Sequence, residues 1–308
     1  MKQAALALSM VMLAGVARAE DEDELPNRSR PQTLPELTHR FTEVSGETTF
    51  ASLALAPTTQ DPRTQMTVRI ERFGFEIPVL SRRWFVGGAY SFALGDVVRG
   101  SPRLISGNPE VFVRGTWASV TGIAFGGGFA LVAPTRGYDG TDALGVALAA
   151  GSVRAWDRAV FDPNALTQRA FIDMRDVAGP LVVQYRQALE IAADTRLKTR
   201  TTFAAVGTLY VGVRITSLLS AGAQLVEYYS LEPDVSDVTR AHWSFGGDVR
   251  VTTRYFQPMV AVMTSLGSPL RALSSFGSPL LGSSPESFVG VRIGLSFVLD
   301  TGEEKGSR

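Results

Sequence analysis

The stretch that most constrains this chain is residues 107–134, because it contains two consecutive runs with an apolar residue at every second position. In the first run Val111, Val113 and Trp117 share one side, and in the second Phe125, Phe129 and Leu131 do so. Successive side chains of a β-strand point to opposite faces, so a period of two is typical of strands with different environments on their two faces. The stretch therefore predicts a β-hairpin.

The same alternation recurs along most of the chain. Within 65–77 the apolar positions change phase, which predicts a β-bulge near Arg72, since one extra residue exchanges the two faces. Together with the hairpin, the pattern predicts eleven strands, the others covering 48–56, 65–77, 84–92, 181–191, 201–215, 219–229, 242–252, 255–264 and 288–299.

The count of eleven strands is odd, which indicates that the alternation pattern has missed one strand. A bacterial barrel with both termini in the periplasm has an even number of strands and short periplasmic turns, which requires one more downward strand between Pro134 and Pro180. The best candidate is 143–154, where Leu144, Val146 and Leu148 alternate with smaller residues. The alternative is a long loop with a helix, because Asp162-Pro163 resembles a helix N-cap followed by proline. We expect twelve strands rather than ten or fourteen.

The remaining choice is between a soluble sandwich and a membrane barrel. Most predicted strands reach the 9–11 residues that cross hydrocarbon, and aromatic residues such as Trp84, Trp117 and Trp243 stand near strand ends, as in aromatic girdles. A charged residue, an apolar run and Ala17-Arg18-Ala19 predict a cleaved signal peptide at 1–19. We therefore expect an all-β, antiparallel transmembrane β-barrel in the Gram-negative outer membrane, in contact with its lipid.

Composition excludes several classes of function. Formal net charge is zero, which gives no electrostatic reason to expect a nucleic-acid partner. Without cysteine and with only two histidines, a zinc site built from these residues is excluded, and no metal or cofactor is implied. The predicted organisation is a signal peptide (1–19), a flexible periplasmic segment (20–46), the barrel (47–300) and a C-terminal tail (301–308).

The polar faces of the predicted strands would line the lumen. Mixed charges can bind a passing solute weakly, or they can pair with one another and fill a narrow barrel. The candidate lumen residues are Arg69, Glu71, Glu110, Arg114, Gln184, Arg186, Glu190, Arg214, Asp248, Arg250 and Arg292.

One part of the chain resembles a known family. Gly107-Asn108-Pro109-Glu110-Val111, then a turn and a glycine-rich strand ending at Ala133-Pro134-Thr135, is similar to the signature region of the outer-membrane meta-pathway phenol-degradation family, relatives of FadL-type channels. The chain has Pro134-Thr135-Arg136 where the family has Pro-Thr-Gly, and nine residues follow the last strand in place of a terminal aromatic. The resemblance implies a barrel that takes up small, often apolar compounds.

We therefore expect a channel for small, hydrophobic or aromatic solutes that pass by diffusion. One alternative is a lipid hydrolase, since His242 and Ser244 have the His-x-Ser spacing of outer-membrane lipid hydrolases, although they would face the lumen. The other is a structural or adhesive barrel presenting its outer loops at 95–108, 134–142, 231–241 and 266–286. The last loop repeats Gly-Ser-Pro-Leu and could also fold into the mouth as a hydrophobic gate.

Overall fold

A computed structural model describes residues 42–55, 65–79, 83–96, 102–118, 123–134, 141–162, 164–195, 201–231, 241–253, 255–266 and 285–299. These residues form thirteen strands, one α-helix and one 3-10 helix. In chain order they are β1 (Thr42–Leu55), β2 (Gln65–Val79), β3 (Trp84–Asp96), β4 (Pro102–Ser106), β5 (Glu110–Ala118), β6 (Ala124–Val132), α1 (Thr141–Val153), the 3-10 helix (Ala155–Phe161), β7 (Ala165–Ala178), β8 (Leu181–Asp194), β9 (Thr201–Arg214), β10 (Leu219–Ser230), β11 (Ala241–Val251), β12 (Phe256–Leu266) and β13 (Pro285–Leu299).

The strands close into a barrel. Each strand pairs antiparallel with its sequence neighbour, and β1 also pairs with β13, which completes the ring. The short β4 and the longer β5 both pair with β3, so they form one wall strand that is interrupted at 107–109. Apart from the short β4, which pairs only with β3, every described strand is paired on both sides. The prediction of a twelve-stranded antiparallel barrel is confirmed.

The outer surface is an apolar belt. Large apolar side chains such as Phe75, Val113, Phe129 and Val291 are exposed on it, as expected of a face in contact with lipid. Two rims bound the barrel: the turn rim, where connections such as 179–180 and 215–218 are short, and the loop rim opposite it. At the turn rim the rings of Trp84 and Trp117 meet edge to face, with centroids 5.7 Å apart.

The bulge predicted near Arg72 is wrong. The pairing of β2 with both β1 and β3 runs through Arg72 without a shift in register. Towards the loop rim Val68 and Ile70 point inward and are buried, whereas nearer the turn rim Phe73 and Phe75 point outward and are exposed. The apolar residues of β2 thus change from the outer to the inner face towards the loop rim. There the outer face leaves the lipid for water, and the inner face packs on the apolar core inside the barrel.

The prediction of a strand at 143–154 is also wrong. Residues 141–153 form α1 and 155–161 form the 3-10 helix, and the missing strand is β7. Asp162 does not cap a helix that follows it; instead it ends the 3-10 helix with extended backbone. The alternative, a long loop with a helix, predicts helical structure in this segment correctly but places it after Asp162 instead of before it. We call residues 141–161 the plug, since they fold into the barrel.

The hydrophobic core lies between the plug and the barrel wall, on the side of the loop rim. Val146, Ala150 and Val153 of α1 are completely buried there. They form one cluster with inward-facing residues of the wall, which include Leu53, Ile70, Ala93, Ile105, Met263 and Phe288. Small residues on several sides of α1 let it fit into a narrow lumen, and burying the apolar surface of helix and wall stabilises the inserted position. Among the described residues, no helix is long and apolar enough to span a membrane.

Candidate plugged channel

A group of ion pairs lies inside the barrel where α1 meets the 3-10 helix of the plug. Arg154 forms ion pairs with Glu47 of β1 and with Asp157 of the plug itself, the latter at 2.8 Å. Arg292 of β13 donates from Nε to the second carboxylate oxygen of Glu47 at 2.8 Å. One carboxylate thus joins the plug to a wall strand far away in sequence.

Asp157 connects the plug to two further wall strands, β2 and β7. Its carboxylate lies 3.5 Å from Arg72 Nε and 3.6 Å from Arg169 Nη1. The same two arginines approach Glu110 at 3.7 and 3.6 Å. We call the whole set the latch cluster; it comprises Glu47, Arg72, Glu110, Arg154, Asp157, Arg169 and Arg292.

Burial and charge act against each other on the ionisable groups of the plug. Burial acts to raise the pKa of Asp157, but Arg72, Arg154 and Arg169 outweigh it and hold that pKa well below its usual value. Burial likewise opposes the charge on Arg154, yet Glu47 and Asp157 raise its pKa. The plug therefore meets the wall as a set of charged pairs rather than neutral groups.

Asp162, at the end of the plug, has the opposite balance. Burial raises its pKa to about 7, with Glu190 and Asp194 adding to the rise and Arg158 opposing it. An ionised Asp162 is therefore unfavourable in the inserted plug.

The interruption between β4 and β5 anchors the plug. Asn108 donates from Nδ2 to the carbonyl oxygens of Ala159 and Asp162, at 3.1 and 2.8 Å, and from its backbone nitrogen to Val160 O at 2.6 Å. At Gly107 an added Cβ would lie 2.9 Å from a methyl group of Val160. Glycine is required there because plug and wall approach so closely.

Beyond the latch cluster, buried side chains fill part of the lumen. Arg114 is fully buried, pairs with Glu76, and has its guanidinium 4.3 Å from the centroid of the Phe85 ring. Gln184 and Tyr210 have no exposed surface either.

The lumen also contains a cavity of about 150 Å³. Most strands of the barrel contribute to its lining, and β1, β2, β3 and β13 contribute small residues to it: Ser45, Gly74, Ala89, Gly294 and Ser296. Trp156 of the plug and several residues of the latch cluster also line it. The open volume exists because these strands carry little side-chain bulk on their inner faces.

The structure brings most of the predicted lumen residues inside. Inward-facing positions are occupied by Glu110, Arg114, Gln184, Arg186, Glu190, Arg214, Asp248, Arg250 and Arg292. Arg69 and Glu71 are corrections: they point outward near the loop rim and pair with each other. Of the inward set, only Glu110 and Arg292 belong to the latch cluster.

Several important residues are absent from the sequence prediction. Arg169 and Asp173 lie on β7, the strand that was not predicted; Arg186 donates to both carboxylate oxygens of Asp173, at 2.6 and 2.8 Å. Arg154 and Asp157 lie in the plug, which was assigned in part to a strand. Asn108 belongs to the motif that carries the family resemblance, and that motif was the available signal for it.

The structure does not support the hydrolase alternative. His242 and Ser244 both face the lumen and are 3 % exposed, so neither is in contact with lipid. Within the described chain no side chain forms a hydrogen bond with either ring nitrogen of His242, whereas the catalytic base of such a hydrolase is oriented by a third side chain. Most of the outer loops, including 267–284, lie outside the described residues, so the adhesive alternative stays a prediction.

Comparison with solved structures gives the fold a context. An outer-membrane channel from Pseudomonas putida F1 superposes with a TM-score of 0.60 at 11% sequence identity, over 88% of this chain and 100% of that chain. The NanC porin superposes with a TM-score of 0.52 at 12% identity, over 84% of this chain and 100% of that one. No protein-family model and no curated protein sequence matches the chain. The fold is that of an outer-membrane channel barrel.

Proposed function

We propose that this protein is a passive channel of the outer membrane, and that the inserted plug keeps it closed. The observation that carries the proposal is the cavity of about 150 Å³, which is lined by residues of β1, β2 and β13 and by the latch cluster. Movement of the plug away from Glu47 and Arg292 would join that cavity to the loop rim. Solutes would then cross by diffusion down their gradient.

The cavity favours small solutes that carry a polar group. A volume of about 150 Å³ has room for several water molecules. Charged residues of both signs line it, and Trp156 and Phe171 add aromatic surface. A small aromatic or aliphatic molecule with a carboxylate, hydroxyl or amino group would suit this lining better than a pure hydrocarbon. The resemblance of residues 107–134 to the phenol-degradation family supports the aromatic part of this proposal.

Two substitutions on neighbouring residues of one strand test the path. Ser45 faces the cavity and Val44 faces lipid, where it is 44% exposed. In planar bilayers, Ser45→Phe is expected to reduce the conductance of open channels at least severalfold and to weaken block by small aromatic acids. Val44→Phe is the matched control and is expected to behave like the wild type. Equal conductance in both variants would show that solutes do not pass along β1.

A further inference from the structure

Three polar side chains interrupt the lipid-facing belt on β8, β9 and β10. Tyr185 and Gln187 project outward from β8, and Glu227 projects outward from β10. Gly207 of β9 lies between them, in register with both Gln187 and Glu227. A Cβ placed on Gly207 would have three side-chain oxygens nearby: Gln187 Oε1 at 3.6 Å, Glu227 Oε2 at 3.9 Å and Tyr185 Oη at 3.9 Å. We call these four residues the polar patch.

The polar patch lies within the apolar belt rather than at its border. On the side of the loop rim it is followed by Leu189 and Phe203, which are 45% and 44% exposed. On the side of the turn rim it is followed by Leu181 and Val211, which are 40% and 41% exposed. Carboxylate and amide groups are unfavourable in hydrocarbon unless they find hydrogen-bonding partners.

The patch does not satisfy its own polar groups. Tyr185 donates to Gln187 Oε1 at 2.5 Å, which leaves the amide nitrogen of Gln187 with two contacts of 3.4 Å to backbone carbonyls. Glu227 has no hydrogen bond or ion pair with any residue that the structure describes. The amide nitrogen of Gln187 can therefore still donate a good hydrogen bond, and the carboxylate of Glu227, on the other side of Gly207, can still accept one.

We propose that the polar patch is the contact surface between two copies of this chain. Two barrels in one membrane are related by a two-fold axis along the membrane normal, so the same surface meets itself. With the axis near Gly207, Glu227 of each copy faces the side of the patch that carries Gln187 in the other, and acceptor meets donor twice. Small outward residues nearby, Ala205, Ala223 and Gly247, allow close approach. The proposal is independent of what the lumen transports.

Cysteine cross-linking tests the contact directly, because the chain contains no cysteine of its own. Gly207→Cys puts a thiol at the centre of the patch, where a Cβ meets only ordinary van der Waals contacts. The matched control is Phe73→Cys on β2, which stands opposite β9 in the ring and is 57% exposed. Each full-length variant is expressed in outer membranes and oxidised with copper phenanthroline.

The expected result is a disulfide-linked species of twice the chain mass from Gly207→Cys and none from Phe73→Cys. Replacing Glu227 and Gln187 by leucine in the Gly207→Cys background is expected to lower its yield at least fivefold, while heat-modifiable migration on gels shows that the barrel is folded. An adduct with a different protein, equal yields from both single-cysteine variants, or no adduct from Gly207→Cys would each overturn the proposal.

Discussion

The side-chain amide of Asn108 donates a hydrogen bond of 2.8 Å to the carbonyl oxygen of Asp162, joining the interruption between β4 and β5 to the end of the plug. A second bond from the same nitrogen reaches Ala159 O at 3.1 Å. Asn108 is 1% exposed, so water does not compete for these bonds. The wall is therefore interrupted at the position where the plug needs an anchor.

Replacing Asn108 by alanine should weaken this anchor. Two buried hydrogen bonds at about 1 kcal/mol each give a loss of about 2 kcal/mol, or roughly a thirtyfold rise in the ratio of open to closed channels. Single-channel recording measures that ratio. Thr264→Ala removes a side-chain bond to Phe288 O, away from the anchor, and should leave the ratio unchanged. A ratio unaffected by Asn108→Ala would rule out this anchoring role.

Gly107→Val should displace the plug by a steric route. The new Cβ would lie 2.9 Å from Val160 and 3.0 Å from the carbonyl oxygen of Ser91, closer than real contacts allow. We expect more frequent opening together with a lower temperature of barrel unfolding. Gly46→Ala is the control, because its Cβ would meet Phe73 at an ordinary 3.7 Å. If both variants gate and unfold alike, the close approach at Gly107 does not constrain the plug.

The ion pair between Arg154 and Glu47 should keep the plug inserted and the channel closed. Breaking a buried ion pair from one side costs about 3 kcal/mol, and removing Arg154 takes one buried ion-pair partner from both Glu47 and Asp157. Arg154→Met should therefore open the channel, and the double variant with Glu47→Gln should recover part of the closed state, as coupled residues do. The double-mutant cycle is measured as open probability. Strict additivity of the two effects would mean that this pair contributes nothing to closure.

Acidity should favour the inserted plug through Asp162. Burial raises the pKa of this carboxyl to about 7 from its ordinary value of 3.8, so the inserted plug binds the proton more tightly than a released plug does. The stabilising contribution is complete below about pH 4 and is lost as the pH rises towards 7. Arg158, Glu190 and Asp194 are the charged groups around it, and Arg158 partly opposes the shift.

We accordingly expect open probability to increase between pH 5 and pH 8 in the wild type. Asp162→Asn removes the titrating group and should flatten that increase, while its amide keeps the volume of the side chain. A pH dependence of the same steepness in Asp162→Asn would assign the effect to another group.

Most wall strands of the barrel can be predicted from the sequence, whereas the plug and the ion pairs inside the barrel cannot. Alternation is strong where one face meets lipid, as in β5, β6 and β13. Alternation does not reveal β7. The inward face of this strand carries Arg169, Asp173 and Arg175, and its outward face is less apolar than usual because it includes Gln168 and Ala170. Alternation also misleads in α1, since a helix buried among apolar walls needs no polar face, and Leu144, Val146 and Leu148 then alternate by coincidence.

The latch cluster could not be predicted from spacing. Glu47 and Arg292 are 245 residues apart, and Glu47 and Arg154 are 107 apart, so only closure of the ring and insertion of the plug bring them together. Arg69 and Glu71 were assigned to the lumen because alternation shows two faces but not which of them is inside. That assignment depends on where the lipid ends along each strand.

The central claim is that the plug closes a channel that the barrel would otherwise leave open. The most direct measurement is single-channel conductance in planar bilayers of the wild type and of a variant in which residues 141–161 are replaced by a short Gly/Ser linker, with folding checked by heat-modifiable migration. We predict small, brief openings for the wild type and persistent steps of severalfold larger conductance for the variant. Equal conductance from two folded barrels would contradict the account.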